Sequence, residues 1–486
     1  MKQKIKLGEF APDLDPYTPG IILTISNIIP TLHGYRAANS SVSVSLDFVA
    51  HTPITATVLL QLDLTSRFFV GTANNIYEKS GSSWTDRSGS IYNASVDFRW
   101  MFAQFGNTSL AVNKSDALQY SNSGAFAAVA GAPKAGAMCT SPGFVMLGNY
   151  NDGTDTPDGW FCSAYNDYSD WTPSVATQCA KGRLIDTPGP IRAMVGFGDN
   201  VVAYKDRSMY VGTYSQGSAA VWNWNLIPGQ IGCRSQEAIV DIGTAHYFMG
   251  FEDFYMFDGT YPVSIGAPIR EWFFNRTLDP SYAGDVRTIH DRANSLIYWF
   301  YPYGFVGGKR YFSSVVYNYK SNKWGAYTVG NIICPVLYLS SGYTWDTMPL
   351  TTWDSWPTAA WDSPYWTAQS EVPAYFDGNN DLRTLTGTPG SSVLTTGYYG
   401  DEEYYTLVSG VKLKYAEFSS TDTFMTHRFT NTDVNNFTVG SPASTYESNG
   451  KFDTLISAKW HKFDFSFQGS VEVTGMSIDI NQDGEI

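Results

Sequence analysis

The chain has 486 residues and a formal net charge of −14, from 31 Lys and Arg residues against 45 Asp and Glu residues. Hydrophobic residues make up 43% of the chain, so it can bury a large core, and wholesale disorder is excluded. The acidic balance disfavours a protein that grips nucleic acid by neutralising phosphates, which requires clustered Lys and Arg.

Aromatic residues and glycine indicate the fold class. The 32 Tyr, 29 Phe, 15 Trp and 44 Gly residues favour strands and tight turns over helices. No long apolar pattern with a period of 3.6 residues indicates a helical bundle. The composition therefore predicts an all-β protein.

Cysteine usage and the N-terminus indicate the compartment. The five cysteines lie far apart without a C-x-x-C pair, which argues against a disulfide framework or a zinc site and favours a reducing cytoplasm. The basic N-terminus lacks the apolar segment of a secretory signal. We expect no membrane insertion, because the apolar stretch at 21–29 is too short to span a bilayer.

Residues 1–50 are predicted to form an N-terminal arm with a strand. Residues 11–20 are rich in turn formers, including three prolines. The apolar stretch at 21–29 follows, bracketed by Pro19 and Pro30, and we interpret it as one buried strand.

Residues 51–330 contain a recurring unit: an apolar strand, a short polar turn and a second strand with an aromatic residue near its start. The clearest copies pair 200–204 with 208–212 and 246–251 with 254–259. The insertion at 301–310 explains the longest of the steps between copies, which are 43, 41, 49, 45 and 62 residues. The second-strand aromatic residues of the six copies are Tyr77, Tyr120, Phe161, Tyr210, Tyr255 and Tyr317.

Adjacent strands repeated every ~40–50 residues are typical of β-propeller blades, so we predict a six-bladed β-propeller over 51–330. Ordinary hairpins in two sandwiches remain the alternative. The blade count also stays open, because a strand from the N-terminal arm or from the C-terminal region can complete the first or last blade.

Residues 331–486 are predicted to form an acidic C-terminal β region. Alternating apolar residues from 393 onwards predict strands of a β-sandwich-like region or of a sheet packed beneath the propeller. Three Trp-Asp steps precede them, spaced by eight residues at Trp345, Trp353 and Trp361. We interpret these as a winding loop with buried Trp side chains, and alternatively as an aromatic surface for a partner or glycan.

The sequence contains no recognised catalytic, cofactor or metal motif, and we predict that the protein is not an enzyme. Residues 479–485 begin like a calcium-binding loop, but the chain ends before the twelfth-position Glu, so we interpret them as a polar tail. Several carboxylates near turns are candidates for a glycan hydrolase, but turn formation is the favoured interpretation. These candidates are Asp167, Asp170, Glu252, Asp253 and Asp291.

Several segments together resemble a known family, the tail hub or nozzle proteins of short-tailed phages, also called packaged DNA stabilisation proteins. The similarity spans most of residues 1–330 and weakens in the C-terminal third. No single motif is diagnostic. The segments are GEFAPD (8–13), IIPTLHGYR (28–36), GDNVVAY (198–204), RSQEA (234–238), FYMFDG (254–259) and YNYK to Trp324 (317–324).

The resemblance implies a structural virion protein of the tail that is made in the host cytoplasm. It implies a homo-oligomeric ring, usually a hexamer, below the portal and its head-to-tail adaptor. Such a ring extends the DNA channel, helps to retain packaged DNA, and carries sites for tail fibres, spikes or a plug. DNA passes through the lumen without sequence-specific binding, and the family supplies no catalytic residue.

The charge is distributed unevenly along the chain. Residues 1–330 carry 24 basic and 26 acidic residues, whereas residues 331–486 carry 7 and 19, a net charge of −12. An acidic wall would repel DNA phosphates and ease passage. We therefore hypothesise that Asp401, Glu402 and Glu403 face the lumen, and the alternative is a solvated acidic face that keeps the protein soluble.

Two other functions compete with the structural ring. The first is a receptor- or glycan-binding propeller of the virion that uses residues 345–366 as an aromatic platform. The second and less favoured is a glycan hydrolase.

Overall fold

The computed structural model describes residues 2–48, 51–63, 65–96, 98–218, 220–340, 370–432, 436–443 and 450–485. The protein is all-β, with 58% of residues in strands and 4% in helices, which confirms the predicted class. Within the described ranges, no helix combines the length and apolarity needed to cross a bilayer.

The N-terminal arm contributes five strands, and the predicted strand at 21–29 is divided in two. Asn27 adopts a φ of 53°, which interrupts the extended backbone. The strands are β1 (Lys2–Lys6), β2 (Ile22–Ser26), β3 (Ile28–Pro30), β4 (Tyr35–Ala37) and β5 (Ser40–Asp47).

Five separate antiparallel sheets of four strands each follow in chain order. Sheet I contains β6 (Thr55–Leu60), β7 (Ser66–Gly71), β8 (Ile76–Ser80) and β9 (Ser83–Asp86). Sheet II contains β10 (Met101–Phe105), β11 (Thr108–Val112), β12 (Gln119–Ser121) and β13 (Ala127–Ala128). Sheet III contains β14 (Lys134–Ser141), β15 (Phe144–Asn151), β16 (Asp155–Cys162) and β17 (Ala180–Arg183). Sheet IV contains β18 (Ala193–Phe197), β19 (Asn200–Tyr204), β20 (Met209–Tyr214) and β21 (Trp222–Leu226). Sheet V contains β22 (Ile239–Asp241), β23 (His246–Met249), β24 (Phe254–Phe257) and β25 (Pro262–Ser264).

The remaining strands join the arm in one larger sheet. They are β26 (Arg287–Asp291), β27 (Leu296–Val306), β28 (Lys309–Asn318), β29 (Lys323–Ser340), β30 (Ser370–Asp377), β31 (Asp381–Gly387), β32 (Ser391–Thr396), β33 (Tyr399–Gly400), β34 (Tyr404–Thr430), β35 (Thr438–Ala443), β36 (Lys451–Ala458) and β37 (Trp460–Glu485). A 3₁₀ helix at Gln236–Ala238 precedes β22. A π-helix at Trp272–Thr277 and a 3₁₀ helix at Pro280–Asp285 lie between β25 and β26.

All six hairpins predicted from the repeat are confirmed. They are the antiparallel pairs β7–β8, β11–β12, β15–β16, β19–β20, β23–β24 and β27–β28. Each hairpin forms the middle of a four-stranded antiparallel arrangement, and these arrangements are consistent with propeller blades.

Two four-stranded runs lie inside the larger sheet. Run VI consists of β26, β27, β28 and residues 323–327 of β29. Run VII consists of residues 332–340 of β29, followed by β30, β31 and finally β5 from the N-terminal arm. Asn331, with a φ of 79°, lies between the two parts of β29. The prediction of six blades is not confirmed, because run VII is a seventh four-stranded arrangement.

The sheets and runs pack against one another in a closed circle. Apolar clusters join neighbouring sheets from I to IV, and Phe248 of sheet V packs on Tyr204 of sheet IV. Trp299 of run VI contacts Phe254 of sheet V, and a further cluster joins run VI to run VII. Run VII closes the circle on sheet I through one cluster that includes Phe68, Val70, Tyr338 and Phe376.

The two longest strands of the C-terminal region, β34 and β37, pair along almost their whole lengths. Irregular pairing, for example between Tyr415 and Glu417, lets both strands bend. Thr406 Oγ1 therefore lies 3.0 Å from His461 Nε2, although His461 pairs in register with Phe429. The two halves of the region face each other across buried side chains that include Val408, Val411, Met425, Phe463, Phe465 and Met476.

The arm connects the circle of sheets to this C-terminal region. β1 and β4 pair with β37, β2 pairs with β32, and β3 pairs with β29. β29 runs continuously through the proposed boundary at 330, and the limits 1–50, 51–330 and 331–486 stay predictions. The prediction of a polar tail at 479–485 is wrong, because these residues continue β37 and pair with β34.

Candidate functional site

The residues predicted to meet DNA or a partner lie on the surface or outside the described ranges. Asp401, Glu402 and Glu403 are exposed immediately before β34. The Glu403 backbone N–H donates to Asp401 Oδ1 at 2.8 Å, so this carboxylate also forms a local turn. The partner-surface candidates Trp345, Trp353 and Trp361 lie outside the described residues.

Three of the carboxylates considered for glycan hydrolysis act as turn formers. Asp167 accepts from the backbone N–H of Ser169 at 2.8 Å. In the same way, Asp170 accepts from the N–H of Thr172, and Asp291 accepts from the N–H of Asn294. Asp253 is buried and pairs with Arg270 at 2.5 Å. The exposed Glu252 pairs with Arg207 at 3.3 Å, so the structure does not bring these five residues together.

The first strands of the sheets and runs surround a central channel with two adjoining cavities. The inner cavity, of about 380 Å³, is lined by strand residues such as Thr57, Phe102, Ile289 and Val336. The mouth cavity, of about 410 Å³, lies where these strands begin. Its charged lining residues are Arg99, Lys114, Arg192, Arg234, Glu237, Asp285 and Arg310.

Two carboxylates hold three arginines at this mouth. Arg99 Nε lies 2.7 Å from Glu237 Oε2, and the same guanidinium pairs with Asp285. Arg310 Nη1 lies 2.7 Å from Asp285 Oδ2, and Arg287 Nη2 lies 3.4 Å from Asp285 Oδ1. The Asp285 side chain is only 2% exposed, so its charge depends on these partners.

Short helical turns position both carboxylates. Gln236 donates to the Met194 carbonyl and accepts from the Met194 N–H, both at 2.8 Å. These two hydrogen bonds attach the helical turn that contains Glu237 to sheet IV. Asp279 accepts from Ser281 N–H at 2.9 Å and caps the turn that ends at Asp285.

Two further basic residues of the mouth cavity pair with carboxylates outside it. Lys114 and Arg192 are compensated outside the cavity by Asp155 at 2.7 Å and Asp206 at 2.5 Å. The cluster itself consists of four guanidinium groups and the carboxylates of Glu237 and Asp285. The four arginines are Arg99, Arg234, Arg287 and Arg310.

Two of the arginines have nitrogen atoms without hydrogen-bond partners among the described residues. These atoms are Nε and Nη1 of Arg287 and Nε of Arg234. The Arg287 guanidinium lies 4.8 Å from the Phe312 ring centroid, and that of Arg234 lies 4.1 Å from Phe251. Burial lowers the pKa of Arg234, and the nearby Arg192 adds to this effect. These groups are suited to an anion.

Other reactive side chains are placed apart from this cluster. In the described part of the chain, no three His, Cys, Asp or Glu side chains come together as metal ligands. All five cysteines are buried thiols. Burial raises the pKa of Cys334, which is beside Arg287, to about 11, so it is protonated near neutral pH.

The arginine cluster was not predicted from the sequence. Its members are spread over more than 200 residues, and each lies near the start of a strand in a different repeat or in the insertion at 301–310. The only available signal was the presence of arginine at these positions in an acidic, aromatic-rich chain.

Comparisons with known proteins leave the family open. No family model matches the chain, and no curated protein matches it. Among solved structures, Hsv2 of Kluyvelomyces marxianus is similar over 61% of this chain and 88% of its own length, with a TM-score of 0.33 and 8% sequence identity. Similarity at this level identifies neither the fold nor the function of the chain.

Proposed function

We propose that the protein is a structural subunit of a short-tailed phage tail, a nozzle or hub protein that assembles into a ring on the head-to-tail adaptor. The ring extends the DNA channel, helps to retain and release packaged DNA, and carries tail fibres, spikes or a plug. The proposal rests on the resemblance in residues 1–330 and on the acidic C-terminal region.

We further infer that the closed circle is a seven-bladed β-propeller. Sheets I to V and runs VI and VII supply the seven blades. β5 of the N-terminal arm forms the outer strand of the last blade by pairing with β31. The bent β34 and β37 would then form the β-sandwich-like region beside the propeller.

The observation that carries the functional proposal is the arm between these two parts. The segment 8–13, which carries the resemblance, places Phe10 against Trp272 with ring centroids 5.2 Å apart. Asp13 accepts from the Trp272 N–H at 2.9 Å, and Thr31 donates to Glu472 of β37 at 2.7 Å. A subunit that lines a lumen needs such a connection, because its inner wall must stay fixed relative to its neighbours.

In this proposal, DNA passes through the centre of the ring of subunits. The cavities inside one chain, of about 380 and 410 Å³, are far smaller than a DNA duplex, and the arginine–carboxylate pairs cross the mouth. The exposed Asp401, Glu402 and Glu403 are the candidates for the lumen wall.

Assembly on the adaptor tests this function. The purified full-length chain is mixed with portal–adaptor particles, and the products are examined by electron microscopy. We expect a closed ring of identical subunits, usually six, below the adaptor. A stable monomer that ignores the adaptor and binds an oligosaccharide array would contradict the proposal and favour the receptor- or glycan-binding alternative.

A further inference from the structure

We propose that a group of exposed lysines beside the C-terminal strands binds an acidic surface of a second copy of this chain. We call this group the lysine face, and its members are Lys4, Lys6, Lys412 and Lys414. The inference rests on the proposed ring, because it names the surface through which one subunit contacts the next.

The sheet topology brings the four lysines together from the two ends of the chain. β37 lies between β1 and β34, and Lys4 and Lys412 are both paired with Ser477. The other two lysines, two residues further along each strand, are both paired with Gly475. Residues directly opposite each other on neighbouring strands lie on the same face of a sheet. The four backbone positions therefore form a rectangle of roughly 7 by 10 Å.

The lysine face is the solvent side of this sheet. Residues that alternate with the lysines and with Ser477, namely Ile5, Leu413 and Met476, are buried in the core, whereas all four lysines are exposed. Gly475 has no side chain between the rows, and a Cβ there would lie 3.6 Å from Cδ of Lys414. A carboxylate side chain of a partner can therefore approach the strand between two rows of ammonium groups.

The positive charges of this face lack carboxylate partners on their own chain. Within the described ranges, the ammonium groups of Lys4, Lys6 and Lys414 form no ion pair. By contrast, Lys451 on the adjacent β36 pairs with Asp453 at 3.1 Å and so marks the edge of the face. Like charges this close together repel one another, and the carboxylates of a partner would offset that repulsion.

Charge complementarity identifies the occupant as another copy of the chain. Apart from Lys412 and Lys414, residues 331–486 contain five basic residues against 19 acidic ones. Each contact in a ring of identical subunits joins two different surfaces of the same chain, and this chain supplies both a lysine face and an acidic region. The same acidic region repels phosphate groups, which disfavours DNA as the occupant.

Zero-length cross-linking of isotope-mixed protein tests this contact. Equal amounts of unlabelled and isotope-labelled full-length chain are mixed and treated with a carbodiimide, which joins amines to carboxylates in direct contact. The reagent is applied to the concentrated chain at low salt and to rings assembled on portal–adaptor particles. We expect peptides that combine both labels and join the lysine face to a carboxylate within 331–486. Cross-links from these lysines only to their own copy, or to the adaptor, would overturn the proposal.

The two preparations separate this inference from the proposed function. Rings below the adaptor without mixed-label cross-links at the lysine face would overturn the inference and leave the ring function standing. Mixed-label cross-links in solution without rings on the adaptor would support the contact between copies and contradict the ring function. The absence of both would contradict both.

Matched variants measure the contribution of the lysine face. The double variant Lys412→Gln, Lys414→Gln should weaken self-association about fivefold in sedimentation velocity at low salt, and less at high salt, because exposed ion pairs are weak and screened. The control is Arg183→Gln, Arg207→Gln, with the same charge change at side chains that are 60% and 62% exposed in the circle of sheets. Equal dissociation constants in the two double variants, both folded by circular dichroism, would overturn the proposal. A gel shift of duplex DNA that only the lysine variant loses would assign the face to DNA and also overturn it.

Discussion

Arg99 and Glu237 form an ion pair of 2.7 Å. Arg99 precedes β10 of sheet II and Glu237 precedes β22 of sheet V, so sheets III and IV lie between them along the chain. Arg99 also pairs with Asp285, which precedes the first strand of run VI. One guanidinium therefore connects three separate parts of the circle and spans the mouth of its channel. Such a contact holds the circle at a fixed diameter, because any spreading of the sheets would separate buried charges.

Replacing Asp285 should destabilise the fold strongly. Asp285→Asn removes a carboxylate that is only 2% exposed and that pairs with three arginines, Arg99, Arg287 and Arg310. We expect the free energy of unfolding in urea to fall by about 3 kcal/mol or more. Asp158→Asn is the control, since its partner Arg183 is 60% exposed, and it should cost less than about 1 kcal/mol. Similar losses in both variants would contradict a structural role for the cluster.

Removing the Tyr35 hydroxyl should loosen the N-terminal arm. The fully buried Tyr35 accepts from the Phe10 N–H at 2.7 Å, so Tyr35→Phe leaves that N–H without its partner. We expect a loss of about 1–3 kcal/mol and faster cleavage of the arm by protease. Tyr303→Phe, at an exposed position of β27, should change neither quantity. An unchanged cleavage rate in the Tyr35 variant would show that this hydrogen bond does not hold the arm.

The buried histidine pair predicts acid sensitivity. His427 Nε2 and His461 Nδ1 lie 2.8 Å apart, and burial lowers the pKa of His427 to about 3 and that of His461 to about 4. Unfolded histidines titrate near ~6.5, so the unfolded chain binds more protons below that pH. Stability is then complete above pH ~6.5 and falls as the pH drops towards ~4, by up to about 1.4 kcal/mol per pH unit for each histidine.

Urea unfolding at several pH values between 7 and 5 measures this dependence. We expect the double variant His427→Gln, His461→Gln to show a shallower fall than the natural chain, whatever its stability at pH 7. The exposed His33→Gln is the control and should leave the slope unchanged. A slope that stays the same in the double variant would assign the acid sensitivity to other groups, such as the buried His246.

Reversing the charge at 401–403 should slow DNA release from assembled particles. The three side chains are exposed, so lysines there should change the free energy of unfolding by only about 0.5 kcal/mol for each substitution. In the lumen, the lysines would attract DNA phosphates, and the delay should disappear as salt is raised. Glu252→Lys, also exposed, is the control. Equal release rates in the two variants would place 401–403 away from the DNA path.

The sequence predicted the features that depend on neighbouring residues. The six hairpins follow from local alternation and turn residues, and all of them form. Run VII was not predicted, because its strands come from distant segments: β5 of the arm pairs with β31, which lies more than 300 residues later. The interruption of the strand at 21–29 by Asn27 was not predicted either, since a single Asn inside an apolar stretch is not a clear turn signal. The arginine cluster was not predicted, because its members come together only when the circle of sheets closes.

Electron cryomicroscopy of the protein in its native particle would show whether it forms the proposed ring and where residues 401–403 lie. We expect a closed ring of identical subunits below the adaptor, with Asp401, Glu402 and Glu403 on the wall of the lumen. A ring that carries these carboxylates on its outer surface would contradict the proposed DNA path, and the absence of the protein from the tail would contradict the proposed function itself.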